Sequence, residues 1–258
     1  MERDATKRLA GIARTALGVV RDAAVIYGLW TVFSTVAFAQ YHIPSGSMKP
    51  ELAIGDRIYV SKFAYGYSAR SLPGSPGWFD ADGDGGRLFA RVPTRGDIVV
   101  FWAHVPGEKP DIYIKRLIGL PGDRIRMQAG RLFLNGAEVP RRYLDRRAVT
   151  EWGQSFDAAE YEETLPNGRH YVVRELGDSF ALDDTPEFTV PPGHYFMMGD
   201  NRDNSADSRA PRGFGFIPSG DLIGKAVIHG LSFADCDRLE VKDCVLGMPL
   251  KRIGRGLS

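Results

Sequence analysis

Two serines separated by one glycine are the residues of this chain best placed to do covalent chemistry. Ser45 and Ser47 flank Gly46 within the segment Ile-Pro-Ser-Gly-Ser-Met, residues 43–48. A serine hydroxyl attacks a carbonyl carbon efficiently only when a neighbouring base removes its proton, and that base can be a histidine or a neutral lysine. The segment could therefore supply a nucleophile, although a Ser-Gly-Ser sequence is also typical of an ordinary turn.

Lys115 is the candidate base, because it lies in the apolar run Ile112–Ile118. Burial in low-dielectric surroundings lowers the pKa of a lysine, by roughly 3–5 units when burial is complete. Alternation along a strand places Lys115 on the same face as Tyr113 and Leu117, and Arg116 on the other face. A neutral Lys115 therefore need not share its pocket with the Arg116 guanidinium. From the residues alone, a solvated lysine at the edge of a sheet is the simpler interpretation.

A polar segment, Gly199–Arg209, is the third candidate block. It does not fit an EF-hand calcium loop, because counting from Asp203 the sixth position is not glycine and Phe214 holds the twelfth. The histidines form no His-Glu-x-x-His motif, and Ser47 lies in neither a Gly-x-Ser-x-Gly nor a Ser-x-x-Lys motif. His42, five residues before Ser47, is unfavourably placed to act as its base. We therefore expect no metal ion and no cofactor.

Size and composition indicate a globular protein. The chain has 258 residues, with 43% hydrophobic and 25% charged residues, enough for one sizeable core with insertions. Its net charge is only +1, which gives no reason to expect nucleic acid as a partner.

An uncharged apolar segment near the N-terminus predicts a contact with membrane lipid. Residues 23–39 form a run of 17 residues without a charge, at the lower limit for a transmembrane helix. Basic residues precede it and predict a cytoplasmic N-terminus; they are Lys7, Arg8, Arg14 and Arg21. The alternative is a cleavable signal peptide, since Ala37-Phe38-Ala39 fits the cleavage rule.

Beyond this segment, short β-branched and aromatic runs between turn residues predict an antiparallel β protein. The predicted strands are Arg57–Phe63, Asp97–Trp102, Ile112–Ile118, Arg124–Met127, Arg131–Leu134, His170–Glu175, Glu187–Val190, His194–Met198 and Leu222–Leu231. Tyr67–Arg91 is rich in Gly, Pro, Ser and Asp and is typical of an insertion, whereas the polar residues 136–190 indicate a peripheral subdomain.

The three blocks, in this order, resemble the type I signal peptidases, membrane-anchored serine proteases with a lysine base. The resemblance extends from about Val25 to His229. It implies a mainly β fold in which a single transmembrane helix precedes an antiparallel, barrel-like catalytic domain with an inserted β-rich subdomain. The corresponding boundaries are a basic leader (1–22), an anchor (23–39), a catalytic domain (40–135 and 191–258) and an insertion (136–190).

The resemblance also implies a role for each site residue. Ser47 falls on the nucleophile and Lys115 on the general base. The backbone N–H of Ser47 and the hydroxyl of Ser45 would form the oxyanion hole. Ser205 would hydrogen-bond and orient Lys115. Two further sets are implied, a supporting ion pair of Asp207 and Arg209, and apolar pockets lined by Ile43, Met48, Leu52, Tyr113 and Ile114.

The activity implied by the resemblance is removal of signal peptides from exported preproteins, after small residues at the first and third positions before the scissile bond. The protein would lie in the bacterial inner membrane, with its catalytic domain on the extracytoplasmic side. A self-cleaving Ser–Lys protease and an anchored β-domain that binds exported proteins without cutting them are the alternatives. Cys236 and Cys244, eight positions apart, could pair in an oxidising compartment or remain free thiols.

Overall fold

The computed structural model describes residues 2–71, 86–177 and 179–232, and the short stretches 244–245, 248–249 and 253–257. Part of the insertion predicted at Tyr67–Arg91 lies outside these ranges. Cys236 is also outside them, and Cys244 is described only through its backbone. The disulfide between these two cysteines therefore stays a prediction.

One helix, α1, extends from Glu2 to Val36. Its segment Arg14–Val36 is long and apolar enough to cross a membrane by length and composition. The helix ends before the predicted span 23–39 does, because Phe38 and Ala39 belong to the first strand, and the extent of the span in the membrane stays a prediction. The helix ends just before Phe38, the first residue of a strand with alternating residues Phe38, Gln40 and His42 on one face, and the absence of charge in residues 23–39 did not reveal this change.

The strands are, in chain order, β1 (Phe38–His42), β2 (Asp56–Ser61), β3 (Ile98–Ala103), β4 (Asp111–Gly119), β5 (Arg124–Gln128), β6 (Arg131–Leu134), β7 (Ala137–Glu138), β8 (Arg141–Glu151), β9 (Gln154–Thr164), β10 (His170–Glu175), β11 (Phe188–Thr189), β12 (His194–Met198), β13 (Ile217–Pro218), β14 (Leu222–Ser232), β15 (Cys244–Val245) and β16 (Met248–Pro249). Short 3₁₀ helices cover Lys62–Tyr65, Arg202–Asn204 and Ser219–Asp221.

The largest sheet has seven strands in the order β1-β2-β14-β3-β4-β12-β13. A three-stranded sheet has the order β10-β9-β8, and a four-stranded sheet the order β11-β5-β6-β7. All pairings between these strands are antiparallel. The predicted fold class, mainly antiparallel β after one apolar N-terminal helix, is confirmed.

The strands β8 and β9 were not predicted. They pair from Arg141↔Glu163 to Glu151↔Gln154, yet most of β8 is exposed. A strand with charged residues on both faces lacks the apolar alternation that identifies a strand in a sequence. Cross-strand charge pairs such as Arg142–Glu162, 2.9 Å apart, occupy its surface instead.

The predicted boundaries of the insertion, 136 and 190, divide a sheet. β7 and β11 lie within that range, but they pair with β6 and β5 outside it. One hydrophobic cluster also joins Ile118 of the large sheet to Tyr171 and Val173 of β10. Only the three-stranded sheet lies wholly within the predicted insertion, and it packs against the rest of the protein.

Candidate active site

Ser47 lies in the turn that follows β1, and its side chain is buried. The backbone of the turn is closed by hydrogen bonds from Lys49 N to Gly46 O (3.1 Å) and from Leu52 N to Met48 O (2.8 Å). Met48 and Leu52 have no exposed surface and belong to a hydrophobic cluster under the turn. Burial of these two apolar side chains therefore fixes the loop that carries the serine.

Lys115 contacts Ser47 directly. Its Nζ lies 2.6 Å from Ser47 Oγ and 3.2 Å from the carbonyl oxygen of Ile114. Lys115 is in the middle of β4, which is paired on one side with β3, and only 4% of its surface is exposed. The sequence places these residues 68 positions apart, and the sheet brings their functional groups into hydrogen-bond contact.

The surroundings of Lys115 shift its protonation equilibrium toward the neutral form. Burial lowers the pKa of Lys115 to about 8, because the ammonium loses its hydration. The carboxylates of Asp207 and Asp200 oppose this shift, and the Arg209 guanidinium adds to it. A lysine with such a pKa can accept a proton from a serine near neutral pH.

Arg116 points away from Lys115, as strand alternation predicts. Its guanidinium donates two hydrogen bonds of 2.8 Å to the carboxylate of Asp200 and one of 2.8 Å to Gly96 O. The carboxylate beside it raises the pKa of Arg116 despite burial, so this side chain stays charged and paired. The positive charge of Arg116, the residue next to Lys115 in sequence, is therefore neutralised by the Asp200 carboxylate.

Asp207 and Arg209 form a buried ion pair. The Arg209 guanidinium donates hydrogen bonds of 2.9 and 2.8 Å to the Asp207 carboxylate and one of 2.7 Å to the carbonyl oxygen of Arg202. Burial raises the pKa of Asp207, but the Arg209 guanidinium outweighs this and holds it below its usual value. The Gly199 N–H also donates to Asp207 at 3.0 Å. These contacts hold the 199–209 loop against the base, while the catalytic role of the pair stays a prediction.

The expected hydrogen bond from Ser205 to Lys115 is not formed. Ser205 is buried, and a side-chain hydrogen bond between Ser205 and Asp207 contributes to the lowered pKa of that carboxyl. It instead packs against Gly199: a Cβ at that position would clash with Ser205 Oγ and lie 2.5 Å from the carbonyl oxygen of Ser47. Ser205 is thus next to the nucleophile loop, and the Ser47 hydroxyl is the side-chain partner of Lys115.

Ser45 is exposed, and its Oγ lies 3.3 Å from Ser47 Oγ. The hydroxyl predicted to complete an oxyanion hole is therefore adjacent to the nucleophile. A donor of this kind acts on the oxygen of the tetrahedral intermediate, which is contributed by the substrate. Its role stays a prediction.

The five residues expected to line substrate pockets divide into two groups. Ile43, Tyr113 and Ile114 line a cavity of about 190 Å³. Met48 and Leu52 have no exposed surface and lie in the core, where they could touch a substrate only if their neighbours moved. Tyr41, His42 and Asp111 line the same cavity, so its walls are partly polar. The role of the five residues in substrate binding stays a prediction.

Glu151 is part of the site but was not predicted. Its carboxylate accepts a hydrogen bond from Lys49 Nζ at 3.0 Å and from Asn204 Nδ2 at 2.8 Å. Asn201 contributes two bonds to the nucleophile loop, from its backbone N–H to Ser47 O (3.1 Å) and from Nδ2 to Gly46 O (3.0 Å). No local pattern signals Glu151, because its partners are distant in sequence.

No group of three or more His, Cys, Asp or Glu side chains that could hold a metal ion occurs among the residues that the structure describes. A serine hydroxyl in contact with a buried lysine is the arrangement of Ser–Lys hydrolases, which occur on several unrelated folds. This geometry could support acyl transfer through a serine.

Comparison with known proteins identifies the family. The model of the family described as signal peptidase, peptidase S26, matches residues 16–230. A signal peptidase I from Rickettsia typhi is 41% identical over 193 residues, which cover 72% of this chain and 69% of the relative. A signal peptidase I from Rickettsia bellii is 40% identical over 191 residues, which cover 71% and 62% of the two chains.

A solved structure of a signal peptidase I from Enterococcus faecalis is 27% identical, with a TM-score of 0.29; the match covers 52% of this chain and 97% of that one. On the family match and the curated relatives, the chain belongs to the signal peptidase family, peptidase S26. It is accordingly a serine peptidase, a hydrolase of peptide bonds.

Proposed function

We propose that this protein removes N-terminal signal peptides from exported preproteins, with Ser47 as nucleophile and Lys115 as general base. The observation that carries the proposal is the 2.6 Å contact between Ser47 Oγ and the Nζ of a lysine that is 4% exposed. Family membership supports the substrate class, because the related proteins are signal peptidases.

The reaction follows from this contact. Neutral Lys115 takes the proton of Ser47 as Oγ attacks the scissile carbonyl carbon, and the carbonyl oxygen becomes an oxyanion. The Ser47 N–H and the Ser45 hydroxyl stabilise that oxyanion, at roughly 3–4 kcal/mol per donor. When the C–N bond breaks, the Lys115 ammonium returns its proton to the leaving amine. Water, deprotonated by the same lysine, then hydrolyses the acyl-enzyme and regenerates both groups.

The preference for small residues at the first and third positions before the bond rests on membership of the signal peptidase family. Ile43 and Ile114, which are buried and half-buried, line the 190 Å³ cavity and are the residues proposed to contact these side chains.

The membrane arrangement rests on α1. The segment Arg14–Val36 crosses the bacterial inner membrane once, and the basic residues before it keep the N-terminus in the cytoplasm. The β-domain then lies on the extracytoplasmic side. Lys62 connects the end of the helix to that domain through two hydrogen bonds of 2.9 Å. Its Nζ donates to the carbonyl oxygen of Thr35, and its backbone N–H donates to the carbonyl oxygen of Ala37. Ser47 is therefore held near the membrane surface, where signal peptides are presented.

The test uses the full chain in detergent with a purified preprotein, followed by N-terminal sequencing of the product. We expect a single cut after a small residue, and no cut by the Ser47→Ala or Lys115→Met variant. A folded Ser47→Ala variant with wild-type turnover would contradict the mechanism. Tight binding of the preprotein without any cleavage by the wild type would instead indicate a binding protein.

A further inference from the structure

We propose that residues 254–257, which we call the brace, hold the nucleophile loop in its reactive position, with Arg255 and Leu257 as positioning residues for Ser47. The nucleophile loop comprises residues 43–55, between β1 and β2. This inference rests on the proposed function and deepens it, because it assigns the support of the reacting serine to a segment that is distant from it in sequence.

The brace extends the large sheet along β14. Its backbone forms two hydrogen bonds of 2.9 Å with His229 of β14, one from Gly254 N to His229 O and one from His229 N to Arg255 O. A third, of 3.0 Å, joins Leu257 N to Val227 O. β3 pairs with the earlier residues 222–225 of β14, and β2 occupies the other side of β14 at the level of the brace. The brace therefore continues the hydrogen bonding of β14 where the pairing with β3 ends.

Leu257 connects the brace to the core under the nucleophile loop. It is half-buried and packs against the hydrophobic cluster that contains Met48 and Leu52, neither of which has exposed surface. Ile114, the residue before Lys115, packs against the same cluster. Protein interiors are close-packed, so truncation of one side chain leaves a space into which its neighbours can shift. Leu257 therefore restricts movement of the apolar side chains that fix the loop.

The brace also fixes His229 beside the nucleophile loop. His229 is 2% exposed, and its backbone is held by the brace on one side and by Ile58 of β2 on the other. Its ring lies between two carboxylates, with Nε2 3.9 Å from Glu51 Oε1 and Nδ1 3.8 Å from Asp56 Oδ2. Glu51 is part of the nucleophile loop, so a displacement of His229 would change the surroundings of that loop.

Asp56, the second carboxylate beside His229, closes the nucleophile loop at its base. Its carbonyl oxygen accepts a hydrogen bond of 2.8 Å from Ile43 N, and its carboxylate accepts one of 2.8 Å from Ala53 N. The first bond joins the two ends of the loop, and the second fixes its final turn. Through His229, the brace therefore reaches the residue on which the closure of the loop depends.

Arg255 adds a favourable charge interaction with the same loop. Burial raises the pKa of Glu51, but His229, Arg116 and Arg255 together hold it below its ordinary value. The Glu51 carboxylate is therefore ionised at neutral pH and is attracted by the Arg255 guanidinium of the brace. Because Arg255 is exposed, this attraction should weaken as ionic strength rises.

The first experiment measures kcat and KM of the full-length protein in detergent with a preprotein substrate. Leu257→Ala should lower kcat by about tenfold and leave KM unchanged, because a slightly displaced nucleophile reacts more slowly with a substrate that is still bound. Leu257→Met, which retains the side-chain volume, should keep the wild-type kcat. Arg255→Gln should lower kcat by about threefold at low salt, and by less at high salt.

A double-mutant cycle tests whether Arg255 acts through Glu51. Arg255→Gln and Glu51→Gln should each lower kcat, and the double variant should be no slower than Glu51→Gln alone, because the guanidinium then has no carboxylate to attract. Hydrogen exchange gives an independent readout of the loop. The amide of Leu52, which donates to Met48 O, should exchange faster in Leu257→Ala, whereas the amides between β4 and β12 should keep their protection.

Two variants serve as controls. Ile253 is an exposed aliphatic residue directly before the brace, and Ile253→Ala should keep the wild-type kcat and the wild-type exchange of the loop amides. Gly256 contributes only backbone to the brace, since an added Cβ would meet nothing closer than 4.0 Å, so Gly256→Ala should behave in the same way.

The proposal is overturned if Leu257→Ala retains the wild-type kcat, if Leu257→Met loses as much activity as Leu257→Ala, or if the effects of the two charge substitutions on kcat are additive. If Leu257→Ala does not fold, the variants of Arg255 and Glu51 provide the decision. A wild-type protein that cleaves no preprotein, or a Ser47→Ala variant that does, contradicts the proposed function itself. Cleavage that is insensitive to every brace variant contradicts only the brace.

Discussion

Lys49 and Glu151, which are 102 positions apart, form an ion pair with 3.0 Å between Nζ and Oε1. Lys49 follows Ser47 by two residues, and Glu151 is the last residue of β8 in the three-stranded sheet. Only 13% and 6% of the two side chains are exposed. The part of the chain predicted to be a peripheral subdomain thus supports the loop that carries the nucleophile.

Glu151→Ala should impair both stability and turnover. It leaves the Lys49 ammonium buried without its carboxylate, and breaking a buried pair in this way costs about 3 kcal/mol. A displaced nucleophile loop should reduce kcat by roughly 10–100-fold, with a smaller effect on KM. Glu151→Gln, which retains hydrogen-bond capacity, should lose less. Urea unfolding and steady-state kinetics measure the two effects, with Glu162→Ala in the exposed Arg142–Glu162 pair as control.

The pH dependence of kcat/KM should report Lys115. Its neutral form is the base, and the pKa is about 8, so the rate should rise as pH approaches 8 and level off above it. A chelator should have no effect, and His42→Ala should keep the same profile. A pH profile in which kcat/KM rises only around pH 10.4, the ordinary pKa of lysine, would contradict the proposed lowering of the Lys115 pKa.

Lys115→Met should abolish activity and stabilise the protein at neutral pH. The pKa of Lys115 is about 8 in the folded state and about 10.4 when unfolded, so the unfolded state binds more protons between these values and stability rises with pH there. Below pH 8, the protonated and buried Lys115 lowers the free energy of unfolding by the full amount, about 3 kcal/mol. Denaturant unfolding at pH 7 and pH 10 measures it, and a less stable variant at pH 7 would refute this account.

Gly199→Ala should reduce turnover by displacing the nucleophile loop. The added Cβ would lie 2.5 Å from the carbonyl oxygen of Ser47 and would also meet the Ser205 side chain. Backbone atoms cannot move away from the new Cβ without distorting the loop. We therefore expect the free energy of unfolding to fall by about 1–3 kcal/mol. Gly256→Ala is the control, because its Cβ would meet nothing closer than 4.0 Å. Equal thermal stability and kcat in both variants would show that the loop adapts.

The sequence was informative where local rules apply. The strands His170–Glu175 and His194–Met198 were predicted with the bounds that the structure has, because apolar runs between turn residues are local signals. Alternation along β4 also predicted that Arg116 faces away from Lys115. These two features and the Ser-Gly-Ser turn contain most of what the proposed mechanism requires.

Contacts between distant segments could not be predicted in the same way. Glu151 meets Lys49 only because β8 is long enough to reach the nucleophile loop, and β8 itself has an exposed, charged sequence without apolar alternation. The surroundings of Ser205 are likewise a tertiary property, because they depend on how Gly199 packs against the Ser47 loop. One sequence gives the types of these residues but not their distances.

The N-terminal helix should remain attached to the mature protein. A signal-type cut after Ala39 was the alternative, since Ala37-Phe38-Ala39 has small residues at the required positions. Ala39 is in β1, paired with Val60 of β2, and Lys62 binds the end of the helix at Thr35 O. A protease needs an extended, accessible segment, and this one is already part of a sheet. Cleavage would therefore require the edge of the domain to unfold first.

N-terminal sequencing of protein extracted from membranes tests this expectation. The chain should retain the residues of α1 and stay in the membrane fraction after a high-salt wash, because burial of an apolar helix in lipid is insensitive to ionic strength. As a positive control, the Ala39↔Val60 pairing can be disrupted with Val60→Pro, which removes a ladder hydrogen bond and should make the Ala39–Gln40 bond cleavable. A wild-type chain that begins mainly at Gln40, with the β-domain released into the soluble fraction, would show that α1 is a signal peptide rather than an anchor.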